Sequence, residues 1–456
     1  MNETICAIST ARGKGGVAVI RISGDEAFGI VKRFFVRAGG KGDDFEPRRV
    51  YYGEVFRDGV AIDDVTLTYF KSPASYTGED VCEICCHGGI YVTKAVLELV
   101  LSNGARLAEA GEFTKRAYVN GKLSLTRAEA VGQIIDAQND AQLRLSGATR
   151  RGTLCAALDK IKGKMLELIS RAYVIVDYPD EDLPSLERVE MRNILDEVKD
   201  ELYRLKRSYK AGLAVSEGVK TAIIGRPNAG KSSLYNAISG EELAIVTDIA
   251  GTTRDIIEHT VSVGDVTLRL ADTAGIRDTD NAVEKIGVER ARERLNEAEL
   301  VLLVFDASEA ENAEDKELLC AVKGRCAVAV INKTDKERKM SAEFEDEIKR
   351  GVSRVVYMSA RDGNVEELGR VLNEMYELDE IDLSNDAVIS NARQASSVNA
   401  AVSSVEEASS FLDMGQSPDI VCFALERALA CLDQIDARAV SEEIVSQIFS
   451  RFCVGK

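Results

Sequence analysis

No apolar run in these 456 residues approaches the ~18 residues that a membrane-crossing helix needs. The stretch Leu300 to Phe305 reads instead as a buried strand. The N-terminus carries Glu3 and lacks a long apolar core, so no secretory signal and a cytoplasmic location are expected. An excess of positive charge is missing too. Lys and Arg number 58 against 76 Asp and Glu, a formal balance of −18. Such a chain binds nucleic acid poorly without specificity, so contact with RNA requires a local basic patch or a partner. The ten cysteines are scattered and do not form a disulfide framework. Their densest group, Cys82-Glu83-Ile84-Cys85-Cys86-His87, has no second ligand pair nearby for zinc, and Cys86 interrupts a C-x-x-C-H pattern. Small buried strand residues are the expected reading, since free cysteine is commonly buried.

What the chain does contain is Gly225-Arg226-Pro227-Asn228-Ala229-Gly230-Lys231-Ser232-Ser233, a match to the phosphate-binding loop G-x-x-x-x-G-K-[ST]. Thr221 to Ile224 before it reads as a buried strand, and Ser233 to Ile238 after it as a helix start. Glycine lets the backbone wrap closely so that successive N–H groups point inward, and the helix N-terminus adds its positive end. Lys231 is suited to neutralise β/γ-phosphate charge and the Ser232 hydroxyl to ligate Mg²⁺. Three further motifs follow in order, each at the end of a strand pattern. In Asp272-Thr273-Ala274-Gly275, Asp272 can hold Mg²⁺ through water and Gly275 can offer its N–H to the γ-phosphate. In Asn332-Lys333-Thr334-Asp335, the Asp335 carboxylate can accept both N–H groups of the guanine edge, selecting GTP over ATP. Ser359-Ala360 can offer backbone N–H to the guanine oxygen. The four motifs together resemble the G-protein family of P-loop NTPases, whose ligands bind at the carboxyl ends of the strands.

Residues 1–122 pattern as an α/β or α+β domain. Strands are expected at Gly16 to Ile22, Val65 to Phe70 and Glu79 to Ile84, with helices around Asp25 to Phe35 and Val92 to Val100. Gly13-Lys14-Gly15-Gly16 is no nucleotide loop, because it lacks Lys-Ser/Thr and leads into a strand. Residues 123–217 turn helical. Leu154, Leu158, Ile161, Met165, Leu168 and Ala172 form one apolar stripe, and Ile194, Val198, Leu202, Leu205 and Tyr209 a second. Pro179 and Pro184 break the chain between them. The P-loop unit spans 218–378. Helical stripes resume in 379–456 at Val398, Val402 and Val405 and run on through Ile444, Val445 and Ile448. The expected fold is therefore an α/β P-loop GTPase domain inserted into an all-α helical domain and preceded by an α/β or α+β domain. Such an insertion is easy because domain termini commonly lie close together.

Five stretches resemble the MnmE (TrmE) family of tRNA-modification GTPases, end to end. They are Arg21-Ile22-Ser23-Gly24; Ser75-Tyr76-Thr77-Gly78-Glu79-Asp80 with His87-Gly88-Gly89; Gly111-Glu112-Phe113-Thr114-Lys115-Arg116-Ala117; Gly251-Thr252-Thr253-Arg254-Asp255; and the tail Phe452-Cys453-Val454-Gly455-Lys456. The early loop Thr10 to Gly16 departs from the family's Pro-Pro-Gly type of turn, and Gln394 stands where the family often has His.

The resemblance implies a GTP hydrolase that binds 5-formyl- or 5,10-methylene-tetrahydrofolate, forms a homodimer through its N-terminal domain and works with the FAD-dependent flavoprotein MnmG. Their implied product is a tRNA modified at carbon 5 of the wobble uridine. Folate contacts would be Arg21, Glu83, Lys122 and Lys456; cations suit the glutamate tail and a carboxylate suits the pterin amino groups. Mg²⁺ would sit on Ser232 and Thr253. K⁺ would sit on Asn228 and the loop Thr247-Asp248-Ile249-Ala250-Gly251-Thr252, through Asn228, Thr247, Ile249 and Thr252. Ile276 stands where Ras-like proteins carry the water-orienting Gln, so Glu284 is the implied replacement, and Cys453 the implied thiolate catalyst. Two other functions compete: a ribosome-assembly GTPase, against which the −18 balance speaks, and a folate-binding scaffold for which GTP is only a structural switch.

Overall fold

The computed structural model describes residues 3–39, 45–177, 188–240, 259–270, 297–436, 442–450, 452, 454 and 455. The chain divides into two units, Met1–Gly132 with Asp433–Lys456, and Gln133–Leu432. Among the described residues no helix is long and apolar enough to cross a membrane.

In the first unit, period-two alternation builds a seven-stranded sheet. Its strands are β1 (Ile5–Ile8), β2 (Val17–Ser23), β3 (Phe35–Arg37), β4 (Val50–Arg57), β5 (Val60–Phe70), β6 (Val81–His87) and β7 (Arg106–Leu107), in the order β3-β4-β5-β6-β2-β1-β7. All neighbours are antiparallel except β1 and β7. Ile20, Ile22, Cys82 and Ile84 join one core with Ile30 and Val31 of the helix Ala27–Lys32 and Val96 and Val100 of the helix Ile90–Ser102. Ile5 and Ala7 belong to a second cluster with Ala108 and Phe113. The first helix is shorter than its pattern suggests, because Phe35 pairs with Val55 as a buried strand residue. Cys82 and Cys86 are packing residues, and burial pushes the Cys86 thiol up to about 11.

The last segment of the chain belongs to this same unit. Val445 and Phe449, on the helix Glu442–Phe449, pack with Tyr118, Leu125 and Ala128. Beyond it, Val454 forms an antiparallel bridge with Ala110, and Ser9 Oγ donates to the Gly455 carbonyl at 3.1 Å. Gly111 explains its own motif. Its φ is +67°, and a Cβ there would stand 2.6 Å from the Phe449 carbonyl oxygen.

The second unit holds a six-stranded sheet of β8 (Val219–Ile224), β9 (His259–Val263), β10 (Val266–Leu270), β11 (Leu300–Asp306), β12 (Ala327–Asn332) and β13 (Arg354–Tyr357). The order is β13-β12-β11-β8-β10-β9, and only β9 runs antiparallel. β11 and β12 are buried along their whole length, which is why they read as continuous apolar runs. Their residues divide alternately between two cores, Leu302, Val304, Val328 and Val330 on one face and Val301, Leu303, Ala327 and Ala329 on the other.

The helices Thr153–Asp177, Arg188–Ser216 and Ala392–Asp413 complete this unit. The first stripe is buried as read, from Leu154 to Ala172. The second differs at its ends, where Leu195 and Ser208 are buried and Ile194 and Tyr209 only partly so. Ser208 suits its place because its hydroxyl accepts the Ile389 N–H at 3.1 Å, where returning chain leaves little room. Eight residues further on, the Ser216 hydroxyl donates to the Ser390 carbonyl at 2.8 Å. The chain thus leaves the helices for the sheet and comes back at adjacent points, as an inserted domain requires.

Around Glu112 the first unit concentrates charge. Glu112 accepts from Arg106 at 2.8 and 3.0 Å, from Arg116 at 2.9 Å and from the Glu109 N–H at 2.9 Å. Arg116 also pairs with Glu79 at 3.0 Å. Burial alone would raise the Glu112 carboxyl, but these bonds outweigh it and hold the group down at about 2. A folded pKa below the unfolded one stabilises above the unfolded value, and the contribution disappears as pH falls toward 2. Glu112→Gln is therefore expected to cost about 2–4 kcal/mol at neutral pH. It should also flatten the loss of stability between the ordinary glutamate range and pH 2, read from urea midpoints across pH.

Candidate guanine-nucleotide site

In the six-stranded sheet, β8 has β10 on one side and β11 on the other. Its carboxyl end is thus where the strand order reverses, the place at which such sheets bind ligands. The loop Gly225 to Gly230 leaves that end and opens into the helix Lys231–Ser239. Gly230 caps the helix with φ +101°, and a Cβ there would lie 2.0 Å from Asn332 Nδ2. Asn228 also takes a positive φ, +62°. Lys231 Nζ donates to the Gly225 and Arg226 carbonyls, each at 2.8 Å. Burial lowers the pKa of this ammonium, so a phosphate neighbour would restore what desolvation takes from the charged form.

The Asn-Lys-Thr-Asp loop is tied directly to this phosphate loop. Asn332 is buried; its Nδ2 donates to the Ala229 carbonyl at 3.1 Å. Its Oδ1 accepts the Lys333 N–H at 2.8 Å and the Ala360 N–H at 2.9 Å. Lys333 Nζ reaches the Asn228 carbonyl at 2.7 Å and Asp306 at 2.5 Å. Thr334 N–H donates to the Met358 carbonyl at 3.4 Å, and Asp335 is exposed. The Ala360 N–H, expected to face guanine, is thus engaged by Asn332 here. Beside it Ser359 Oγ is buried and has no hydrogen-bond partner among the described residues. Ser232 and Ser233 are exposed on the first turn of the helix.

Two charged residues that motif reading missed belong to the same end of the sheet. Asp306 ends β11, and Arg226 pairs with Glu309 at 2.9 Å and lies 3.6 Å from Asp315. A carboxylate at the end of an otherwise apolar strand was the available signal for Asp306. Thr247, Asp248, Ile249, Ala250, Gly251, Thr252, Thr253, Asp272, Thr273, Ala274, Gly275 and Glu284 lie outside the described residues.

In the first unit, Arg21 and Glu83 face each other across β2 and β6 and form an ion pair at 2.8 Å. The guanidinium lies 5.3 Å from the ring centre of Tyr76 and 5.7 Å from that of Phe113. Lys122 is exposed, and its Nζ donates to the Pro73 carbonyl at 2.9 Å. Cys453 and Lys456 lie outside the described residues, although Val454 and Gly455 are on β1's side of the sheet through the contacts given above. Among the described residues, none of Cys82, Cys85 and Cys86 joins a cluster of potential metal ligands. Among the described residues, one set of three potential ligand side chains comes together, Asp63, Asp64 and His87. There His87 Nδ1 lies 2.7 Å from Asp63, an ordinary ion-pair partner.

A mostly parallel sheet whose Gly-Lys-Ser loop and Asn-Lys-Thr-Asp loop are hydrogen-bonded to each other at its switch point is that of a P-loop GTPase. Residues 4–122 match the family described as GTP-binding protein TrmE N-terminus, and residues 125–453 match the MnmE helical domain. The tRNA modification GTPase MnmE of Clostridioides difficile is 38% identical over 457 residues, covering 100% of both chains. That of Thermoanaerobacter pseudethanolicus is 40% identical over 458 residues, covering 100% of this chain and 99% of the relative. Among solved structures, the G domain of the T. maritima FeoB iron transporter is 25% identical, covering 35% of this chain and 98% of that one. Its TM-score is 0.26, too low to bear on the fold. The chain belongs to the MnmE family of tRNA modification GTPases.

Gly230 offers a direct check on the loop geometry. Gly230→Ala combines a positive φ with a 2.0 Å approach to Asn332, so the loops must separate. Guanine-nucleotide affinity should fall by about tenfold or more, equivalent to over ~1.4 kcal/mol, with far smaller loss of overall stability. Titration of a fluorescent GDP analogue reads the first and thermal unfolding the second.

Proposed function

We propose that this protein hydrolyses GTP to drive modification of carbon 5 of the tRNA wobble uridine, of the carboxymethylaminomethyl type. It does so with a FAD-dependent MnmG-type partner and the one-carbon unit of 5-formyl- or 5,10-methylene-tetrahydrofolate, in the cytoplasm. The observation that carries this reading is the direct tie from the guanine loop to the phosphate loop through Asn332. Membership of a tRNA-modification family supplies the substrate class.

In this reading the N–H groups of Asn228 to Ser233 and the Lys231 ammonium cradle the phosphates, and Asp335 accepts from the guanine edge. Ser232 and Thr253 hold Mg²⁺, which neutralises phosphate charge, while Asp272 to Gly275 face the γ-phosphate. Asn228, Thr247, Ile249 and Thr252 hold K⁺, whose charge stabilises charge that develops in the transition state. Support for Asn228 comes from its exposed, left-handed position on the phosphate loop. Glu284 orients the attacking water. In the first unit, Arg21, Glu83, Lys122 and Lys456 contact the folate, a cation suiting its carboxylates and a carboxylate its pterin amino groups. The pairing of Arg21 with Glu83, with the guanidinium close to the rings of Tyr76 and Phe113, supports a shared folate site for these two residues. Cys453 acts as a thiolate. The exposed apolar side chains of Val17, Ile90 and Tyr91 are the proposed homodimer contacts of the N-terminal domain.

Deleting Val454 to Lys456 separates the two activities. With the partner flavoprotein and folate present, the truncated protein should lose tRNA modification, yet keep GTP turnover that is faster in K⁺ than in Na⁺ at equal ionic strength. Full modification by the truncated chain would contradict the role of the tail, and equal rates in the two salts would contradict the K⁺ site.

A further inference from the structure

Asp306 has no place in the motifs, yet among the described residues it is one of the few buried carboxylates of the second unit, 3% exposed at the end of β11. A carboxylate so placed is tolerated only when its oxygens are paired and hydrogen-bonded. Three donors meet it: the Ser308 N–H at 2.9 Å, the Ser308 hydroxyl at 2.6 Å and Lys333 Nζ at 2.5 Å. The same ammonium donates to the Asn228 carbonyl at 2.7 Å. Lys333 therefore spans from the guanine loop to the phosphate loop, with Asp306 as its only anionic partner among the described residues. Both ends of that span are held in unusual backbone, with φ +63° at Lys333 and +62° at Asn228. Burial would raise the Asp306 carboxyl, but the Lys333 and Ser308 bonds outweigh it and keep the group in its charged form.

We propose that Asp306 is a positioning residue for guanine-nucleotide binding, fixing Lys333 so that the guanine loop and the phosphate loop keep one spacing. A nucleotide must contact both loops at once. If Lys333 loses its anchor, ordering of the two loops has to come from binding energy, and affinity falls. This inference rests on the guanine-site reading above.

The experiment is a double-mutant cycle on the full chain, read by GDP affinity and by KM and kcat for GTP. Asp306→Asn keeps the volume and removes the charge. It should weaken GDP binding by about tenfold or more, the usual scale for a hydrogen bond to a charged group, and raise KM with little change in kcat. Lys333→Met should do the same, and the double variant should bind GDP no more weakly than Lys333→Met alone. Ser308→Ala leaves both charges in place and should bind almost as wild type. Additive losses in the cycle, or a Ser308→Ala loss equal to that of Asp306→Asn, would overturn the proposal, because Asp306 would then be supporting its own loop rather than Lys333. If Asp306→Asn alone does not fold, the charge-free double variant still decides by comparison with Lys333→Met. An Asp335→Asn arm separates the two levels of the argument. Unchanged GDP affinity in that variant would remove the guanine-site reading and this inference with it. Weakened GDP binding there, with additivity in the cycle, would remove the inference alone.

Discussion

The Asn332 side chain meets three loops at once, donating to the Ala229 carbonyl and accepting from the Lys333 and Ala360 amides. It is buried, so each of these bonds replaces water it cannot otherwise reach, and losing any of them leaves a backbone group unpaired at a cost of roughly 1–3 kcal/mol. This one amide contributes a direct tie that helps set the spacing of the site. Gly230 has to be glycine because Asn332 approaches it closely, and Lys333 begins from the left-handed turn that follows Asn332. The order of the sheet places β12 two strands from β8, so only a side chain reaching across the carboxyl ends can join their loops.

In the other unit a comparable constraint is electrostatic. Glu112, Arg106, Arg116 and Glu79 form a partly buried network at the start of the helix Glu112–Val119. Phe113 on that helix lies against Arg21, and Gly111 just before it gives room to Phe449. The motif Gly111 to Ala117 thus carries backbone clearance, a charge lock and one wall of the Arg21 site within about two turns of chain. That density of structural duty explains a contiguous signature without requiring each residue to touch a ligand.

Much of this was legible in the sequence, for identifiable reasons. Strands buried on both faces announce themselves as apolar runs: β11 falls where Leu300 to Phe305 indicated, and β12 is the strand whose end carries Asn332-Lys333-Thr334-Asp335. The phosphate loop was legible because its glycines and lysine recur at fixed spacing. The limits of the reading are equally physical. Periodicity does not say which residue of a helix meets a returning segment, so Ile194 and Tyr209 were read for Leu195 and Ser208. A role that depends on a side chain crossing between strands has no spacing signature, which is why Asp306 went unseen. The ion pair of Arg21 with Glu83 is a register partnership between strands 62 residues apart, and pairing of that kind is visible only once the sheet order is known. The family resemblance singled out those two residues, while their contact came from the fold.

Amide hydrogen exchange on Asn332→Ala tests the account most directly. If Asn332 holds the three loops together, the variant should lose protection at the Lys333 and Ala360 amides together, while the strand amides of β11 and β12 keep theirs. Its GDP affinity should fall in parallel. Unchanged protection at both amides, with GDP bound as in the wild type, would contradict the claim that this side chain sets the geometry of the site.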